Sequence, residues 1–118
     1  MRLGKYYMGF YDNDCASNYV RKKGTWERVA FVYDRAAGTQ TIVVDGVVMI
    51  RCTGRGPFMG TDTVYLGGSW ASDKVWKGKI KNVKIFDKAI PADKIDVILQ
   101  RNEWNFLLLS LSYNAICM

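Results

Sequence analysis

Two β-branched runs, Thr41 to Val44 and Val47 to Ile50, flank the dipeptide Asp45-Gly46. Such a dipeptide suits a two-residue turn whose central residues both take positive φ. The pattern predicts a tight hairpin in which Val44 faces Val47, Val43 faces Val48 and Ile42 faces Met49. Apolar residues then occupy both faces of the ribbon near its tip, so one face packs in the core and the other needs a cover or a partner. Upstream, Glu27 to Tyr33 alternates, placing Val29, Phe31 and Tyr33 on one face and Arg28, Ala30 and Val32 on the other. That is the pattern of a half-buried strand. Downstream, Thr63 to Gly67 reads as a short strand and Lys77 to Asp87 as a longer one, with apolar parity broken between Ile80 and Val83. A bulge near Asn82 accounts for the break. Pro91 to Ile95 opens a short helix whose Ile95, Ile98 and Leu99 share one face. It is expected to lie over an end of the sandwich. Many strands, Gly-rich turns and one late helix predict an all-β, antiparallel two-sheet architecture.

The length, 118 residues, fits one domain near the low end for a two-sheet sandwich. A content of 49% hydrophobic and 14% aromatic residues belongs to a folded chain with a β bias. The formal charge of +6 favours anionic partners, and nucleic acid, sulfated glycan and acidic membrane all match its sign. Cys15, Cys52 and Cys117 form an odd set without metal-like spacing, so at most one internal bridge can close. The first residues, Met1 to Tyr7, contain no apolar stretch of the secretory kind, so a role outside the cell implies that the chain is a piece of a longer one.

Five ordered pieces between residues 24 and 95 carry a family resemblance. They are Trp26 before Val29-Ala30, the strand end Tyr33-Asp34, the hairpin Val44-Asp45-Gly46-Val47, Leu66-Gly67, and Gly78-Lys79-Ile80 through Phe86 to Ala89-Ile90. In this order they resemble the concanavalin A-like lectin/glucanase superfamily, within it the laminin G-like and pentraxin-like branch. The resemblance implies a curved antiparallel jelly roll that binds glycans or proteins, often with calcium. Only about 25 residues precede Trp26, so part of the family's N-terminal strands is expected to be absent and the jelly roll to be partial. Residues 1–101 then form the domain and residues 102–118 an apolar tail. Trp104 to Leu111 is broken by polar residues and too short to span a bilayer, so it reads as a final strand or an apolar lid. Open strand edges call for a partner, which predicts self-association or docking on a neighbouring domain.

Catalysis is not expected. Glycanases of the superfamily carry a Glu-x-Asp-x-x-Glu strand that brings two carboxyl groups together, whereas Glu27 and Glu103 are the only glutamates here and neither lies in such a motif. With no histidine, Ser-His and Cys-His catalysis and His-ligated zinc also drop out.

Asp12-Asn13-Asp14 is an oxygen-rich turn, readable as part of a calcium site or as an ordinary turn whose side chains satisfy their own backbone. Where pentraxin-like relatives hold a calcium cluster this chain has Gly67-Gly68-Ser69-Trp70, so that site is not carried over. Trp70, Asp73 and Trp76 combine aromatic faces with a carboxylate, as a sugar platform does, or else the tryptophans cap the core. Of the two, Trp70 is expected at the surface and Trp76 in the core. Lys77, Lys79 and Lys81 recur at period two and, on a strand, form a basic stripe that is either a solvated face or a site for acidic glycans. No recognition helix or stacking motif accompanies the charge, which disfavours nucleic acid. The sequence thus predicts a non-catalytic module for glycan recognition or adhesion at the cell surface, with an assembly domain as the alternative.

Overall fold

The computed structural model describes residues 4–10, 12–60, 66, 76–100 and 115–117. They form β1 (Lys5–Met8), β2 (Cys15–Val20), β3 (Val29–Asp34), β4 (Thr39–Val44), β5 (Val47–Cys52), β6 (Lys84–Phe86), α1 (Ala92–Gln100) and β7 (Ala115–Cys117). β1 and β2 pair as a ribbon, and the remaining strands make one sheet in the order β5-β4-β3-β7-β6. All neighbouring pairs are antiparallel. The expected all-β, two-sheet partial sandwich with one short helix is the architecture that forms.

The hairpin turns where the sequence predicts it. Asp45 and Gly46 both sit at positive φ, 49° and 82°, and Gly46 is needed twice over. A Cβ there would clash with the Asp96 carboxylate of α1. Pairing follows prediction for Val44 with Val47 and Val43 with Val48, but Ile42 pairs with Ile50, not Met49. Met49 is the extra residue of a bulge, which turns Ile50 and Cys52 to the side facing β2. There Cys52 forms a disulfide with the fully buried Cys15, tying the ribbon to the larger sheet.

β3 is buried on both faces, so the half-buried reading of this strand is corrected. On one face Val29, Ile42 and Val44 pack against Tyr6 of β1, with Phe31, Ile50 and Trp76 at the margin. On the other, Ala30, Val32 and Val43 pack against Ile90 and Ile95. The short helix therefore covers a sheet face and not an end of the sandwich, because the apolar positions on the second side of β3 and β4 need a cover. Nine buried apolar side chains, from β3, β4, β1, α1 and Ile90 just before α1, thereby join into two layers either side of the sheet.

Between Lys77 and Asp87 only Lys84–Phe86 is strand. Asn82 adopts a left-handed conformation, φ 56°, and this ends the extended pairing where a bulge was expected. The C-terminal segment contributes β7, inserted between β3 and β6. It joins the sheet as a strand; α1 packs on Val43 of the hairpin, while Val47 and Val48 at its tip stay exposed. The expected strand at Thr63 to Gly67 and the stretch from Trp104 to Leu111 lie outside the described residues, Leu66 excepted.

Candidate functional site

Two stretches without regular structure, 21–28 and 76–83, line a common groove of about 760 Å³ whose inner wall includes Tyr6 and Val29. The first stretch is pinned at both ends. The Arg21 amide donates to the Gly4 carbonyl at 3.0 Å, and the Asp45 amide donates to the Arg28 carbonyl at 2.8 Å. Asp45 Oδ1 accepts in turn from the Arg28 amide at 2.9 Å. The Arg28 guanidinium lies between two carboxylates, 3.8 Å from Asp45 and 3.6 Å from Asp96. At this exposure such pairs add little stability and chiefly set direction.

The groove is strongly basic. Arg21, Lys22, Lys23 and Arg28 come from the first stretch and Lys77, Lys79 and Lys81 from the second. Among the described residues Glu27 is the only carboxylate of the lining, so seven cations face one anion and the local potential favours an anionic ligand. Two indoles stand among these charges. Trp26 is 57% exposed, with the Lys81 ammonium 4.5 Å from its ring centroid. Trp76 is half-buried against the Tyr6 and Val29 cluster, with the Arg21 guanidinium carbon 5.4 Å from its ring. Both contacts are cation–π pairs, which favour these placements of the cations by about 0.5–1 kcal/mol.

Glu27 is engaged by the protein itself. It accepts hydrogen bonds from the Tyr6 hydroxyl at 2.8 Å, from the Tyr19 hydroxyl and from the Lys22 amide at 3.2 Å. Tyr6 and Tyr19 stack with their rings 8° from parallel, which aims both hydroxyls at one carboxylate. Burial pushes the Glu27 carboxyl upward, but the Tyr19, Tyr6 and Lys22 hydrogen bonds outweigh it and hold it below its ordinary value of 4.5. The Tyr19 phenol is pushed up to about 12, first by its bond to Glu27 and then by burial. A carboxyl whose pKa falls on folding contributes stability that is present above the unfolded value and lost as pH falls through the folded one. Urea midpoints of the wild type are therefore expected to drop on acidification below pH 4.5, and Glu27→Gln is expected to flatten that drop. An identical acid profile in the variant would remove Glu27 from the linkage.

Of the residues singled out by sequence, the structure brings Trp76, Lys77, Lys79 and Lys81 together in this groove. The lysines do not share a strand face, since 76–83 is irregular; they reach the groove by the course of the loop. Trp70 and Asp73 lie outside the described residues. The Asp12-Asn13-Asp14 turn is elsewhere. Asp14 accepts from the Tyr7 hydroxyl and from the Phe10 amide, the latter at 2.7 Å, and Asn13 Oδ1 accepts from Arg55 at 3.2 Å. These oxygens are engaged by the protein, within the turn and by Tyr7 of β1 and Arg55, and no group of three or more His, Cys, Asp or Glu side chains that could hold a metal occurs among the described residues. Sequence reasoning missed Trp26, Arg21, Lys22 and Lys23 as site residues. The signal was present in the run Arg21-Lys22-Lys23 three residues before an indole.

The sequence model of a laminin G-type family, described as the concanavalin A-like lectin/glucanases superfamily, matches residues 3–96. No curated protein matches the chain significantly. Among solved structures, the chain is similar to residues 221–444 of an S-layer domain-containing protein from Clostridium thermocellum, at 24% identity and a TM-score of 0.58. That likeness, which is one of fold, covers 74% of this chain and 45% of the other, so the chain spans less than half of the solved structure.

Proposed function

The chain belongs to the concanavalin A-like lectin/glucanases superfamily, and from that premise we propose that it is a non-catalytic module whose groove binds acidic glycans. One observation carries the reading: seven cations and two indoles line one groove whose described carboxylate is already occupied by two phenols. A sugar chain offers anionic groups to the cations and an apolar face to the Trp26 ring, which is the combination this lining matches. Glycoside hydrolysis needs two carboxyl groups flanking the scissile bond, and Glu27 with its phenol partners does not supply that pair. The reading rests on charge and stacking, with no demand for calcium. The disulfide between Cys15 and Cys52 and the family itself favour an extracellular or cell-surface setting, because such bridges persist in oxidising compartments. No helix among the described residues is long and apolar enough to cross a membrane.

Heparin–agarose chromatography tests the proposal. The wild type is expected to be retained and to elute at a salt concentration that falls when Lys77, Lys79 and Lys81 are replaced together by serine, with affinity reduced at least tenfold. Trp26→Ala is expected to weaken retention at an unchanged melting temperature, since the ring is largely exposed. Elution of the triple variant at the wild-type position would leave the lysines as a solvated face. In that event the second reading, an assembly domain, gains, favoured by the edge strand β5 whose Val47 and Val48 are 59% and 43% exposed.

A further inference from the structure

Most of the groove's cations are long lysine side chains that carry charge without direction, but one place in it is built more narrowly. Arg21 Nε and Trp76 Nε1 are both buried hydrogen-bond donors without a hydrogen-bond partner among the described residues. They belong to two side chains already in cation–π contact, the guanidinium carbon lying 5.4 Å from the indole centroid. Native proteins rarely leave buried donors unpaired, and a pair of them in a ligand groove marks a place where an acceptor is expected. The flank of the indole nitrogen is kept free of a side chain by Gly78, where a Cβ would stand 2.8 Å from Trp76 Nε1.

Resting on the acidic-glycan reading of the groove, we propose that Arg21 and Trp76 form an oxyanion subsite, in which one sulfate or carboxylate group of the glycan accepts from both Arg21 Nε–H and Trp76 Nε1–H. An anion bound there accepts from both donors, each at a hydrogen-bond length of roughly 2.9 Å. Arg is suited to this task because its planar fork keeps direction while the guanidinium stays in cation–π contact with the ring. Lys77, Lys79 and Lys81 attract the polymer and this pair fixes its register.

The test separates charge from donor geometry. Arg21→Lys keeps the charge and removes Nε, Trp76→Phe keeps a ring and removes the N–H, and Gly78→Ala crowds the indole nitrogen without touching charge. Each is expected to lower heparin affinity roughly ten- to hundredfold, the span of one hydrogen bond to a charged group. Because net charge is unchanged, the slope of log affinity against log salt is expected to stay at the wild-type value. The triple lysine variant, by contrast, should lower that slope, since fewer counterions are released. The indole N–H resonance that disappears in Trp76→Phe is expected to move downfield when heparin oligosaccharide is added to the wild type. Desulfated heparin identifies the anion: if the variants no longer differ on it, the group is a sulfate, and if they still differ, it is a uronate carboxylate. Wild-type affinity in all three folded variants, with an unmoved Trp76 resonance during binding, overturns the subsite and leaves the groove reading standing. Absence of heparin binding by the wild type itself overturns both.

Discussion

Replacing Cys15 and Cys52 together by alanine is expected to reduce folding free energy by about 4 kcal/mol, the chain-entropy value for a loop of this size. The bridge spans 37 residues and is the covalent link between the β1–β2 ribbon and β5. A two-stranded ribbon is marginal in water without further support. Losing the bridge should therefore both lower the urea midpoint and expose the ribbon first in hydrogen exchange. Reducing agent added to the wild type should reproduce the loss. Under denaturing, non-reducing conditions one thiol, that of Cys117, is expected to react, and three after reduction. Three reactive thiols before reduction, or an unchanged midpoint in the double variant, would show that the sandwich does not lean on the bridge.

Ile95→Ala is expected to cost about 3 kcal/mol, within the range for large-to-small substitutions in a core. The side chain is 2% exposed and packs with Ala30, Val32, Val43 and Ile90 on the face of the sheet away from the ribbon. Ile42→Ala, fully buried on the opposite face, is expected to cost a similar amount. The two should differ in what else they disturb. Ile95→Ala leaves heparin affinity of the folded fraction unchanged, because the groove borders the Tyr6 and Val29 side. Ile42→Ala loosens the packing beneath Trp76 and weakens it. A cost below about 1 kcal/mol for Ile95→Ala would mean that α1 does not cover the sheet.

Local chemistry explains what could be read in advance. Asp45-Gly46 specifies its turn because few dipeptides tolerate two consecutive left-handed residues, and the pairs nearest the turn follow from it. Two residues farther along β5, the Met49 bulge shifts the register, and a run of apolar residues on both faces gives no parity signal to reveal it. Burial of both faces of β3 was likewise hidden, since Ala30 and Val32 look equally well placed on an exposed face until α1 is known to lie over them. Lys77, Lys79 and Lys81 have strand periodicity, but the left-handed Asn82 ends the ladder short of them. Their place in the groove comes from tertiary folding. The opposite wall, from Arg21 to Arg28, carries no periodic pattern at all; it is held by the Gly4 and Asp45 backbone bonds at its ends and by the Tyr6 and Tyr19 hydroxyls converging on Glu27.

The bulge at Met49 also decides when the chain can be oxidised. A regular ladder continued from Val44 and Val47 would set Cys52 opposite Thr39, on the side of the sheet that α1 covers and away from Cys15. In the observed pairing Cys52 lies opposite Gln40, and the thiols meet. Bridge formation therefore reads the alignment of β4 with β5 before sealing it. A hairpin on the regular ladder would hold Cys15 and Cys52 on opposite sides of the sheet, so closing the bridge depends on the alignment of β4 with β5.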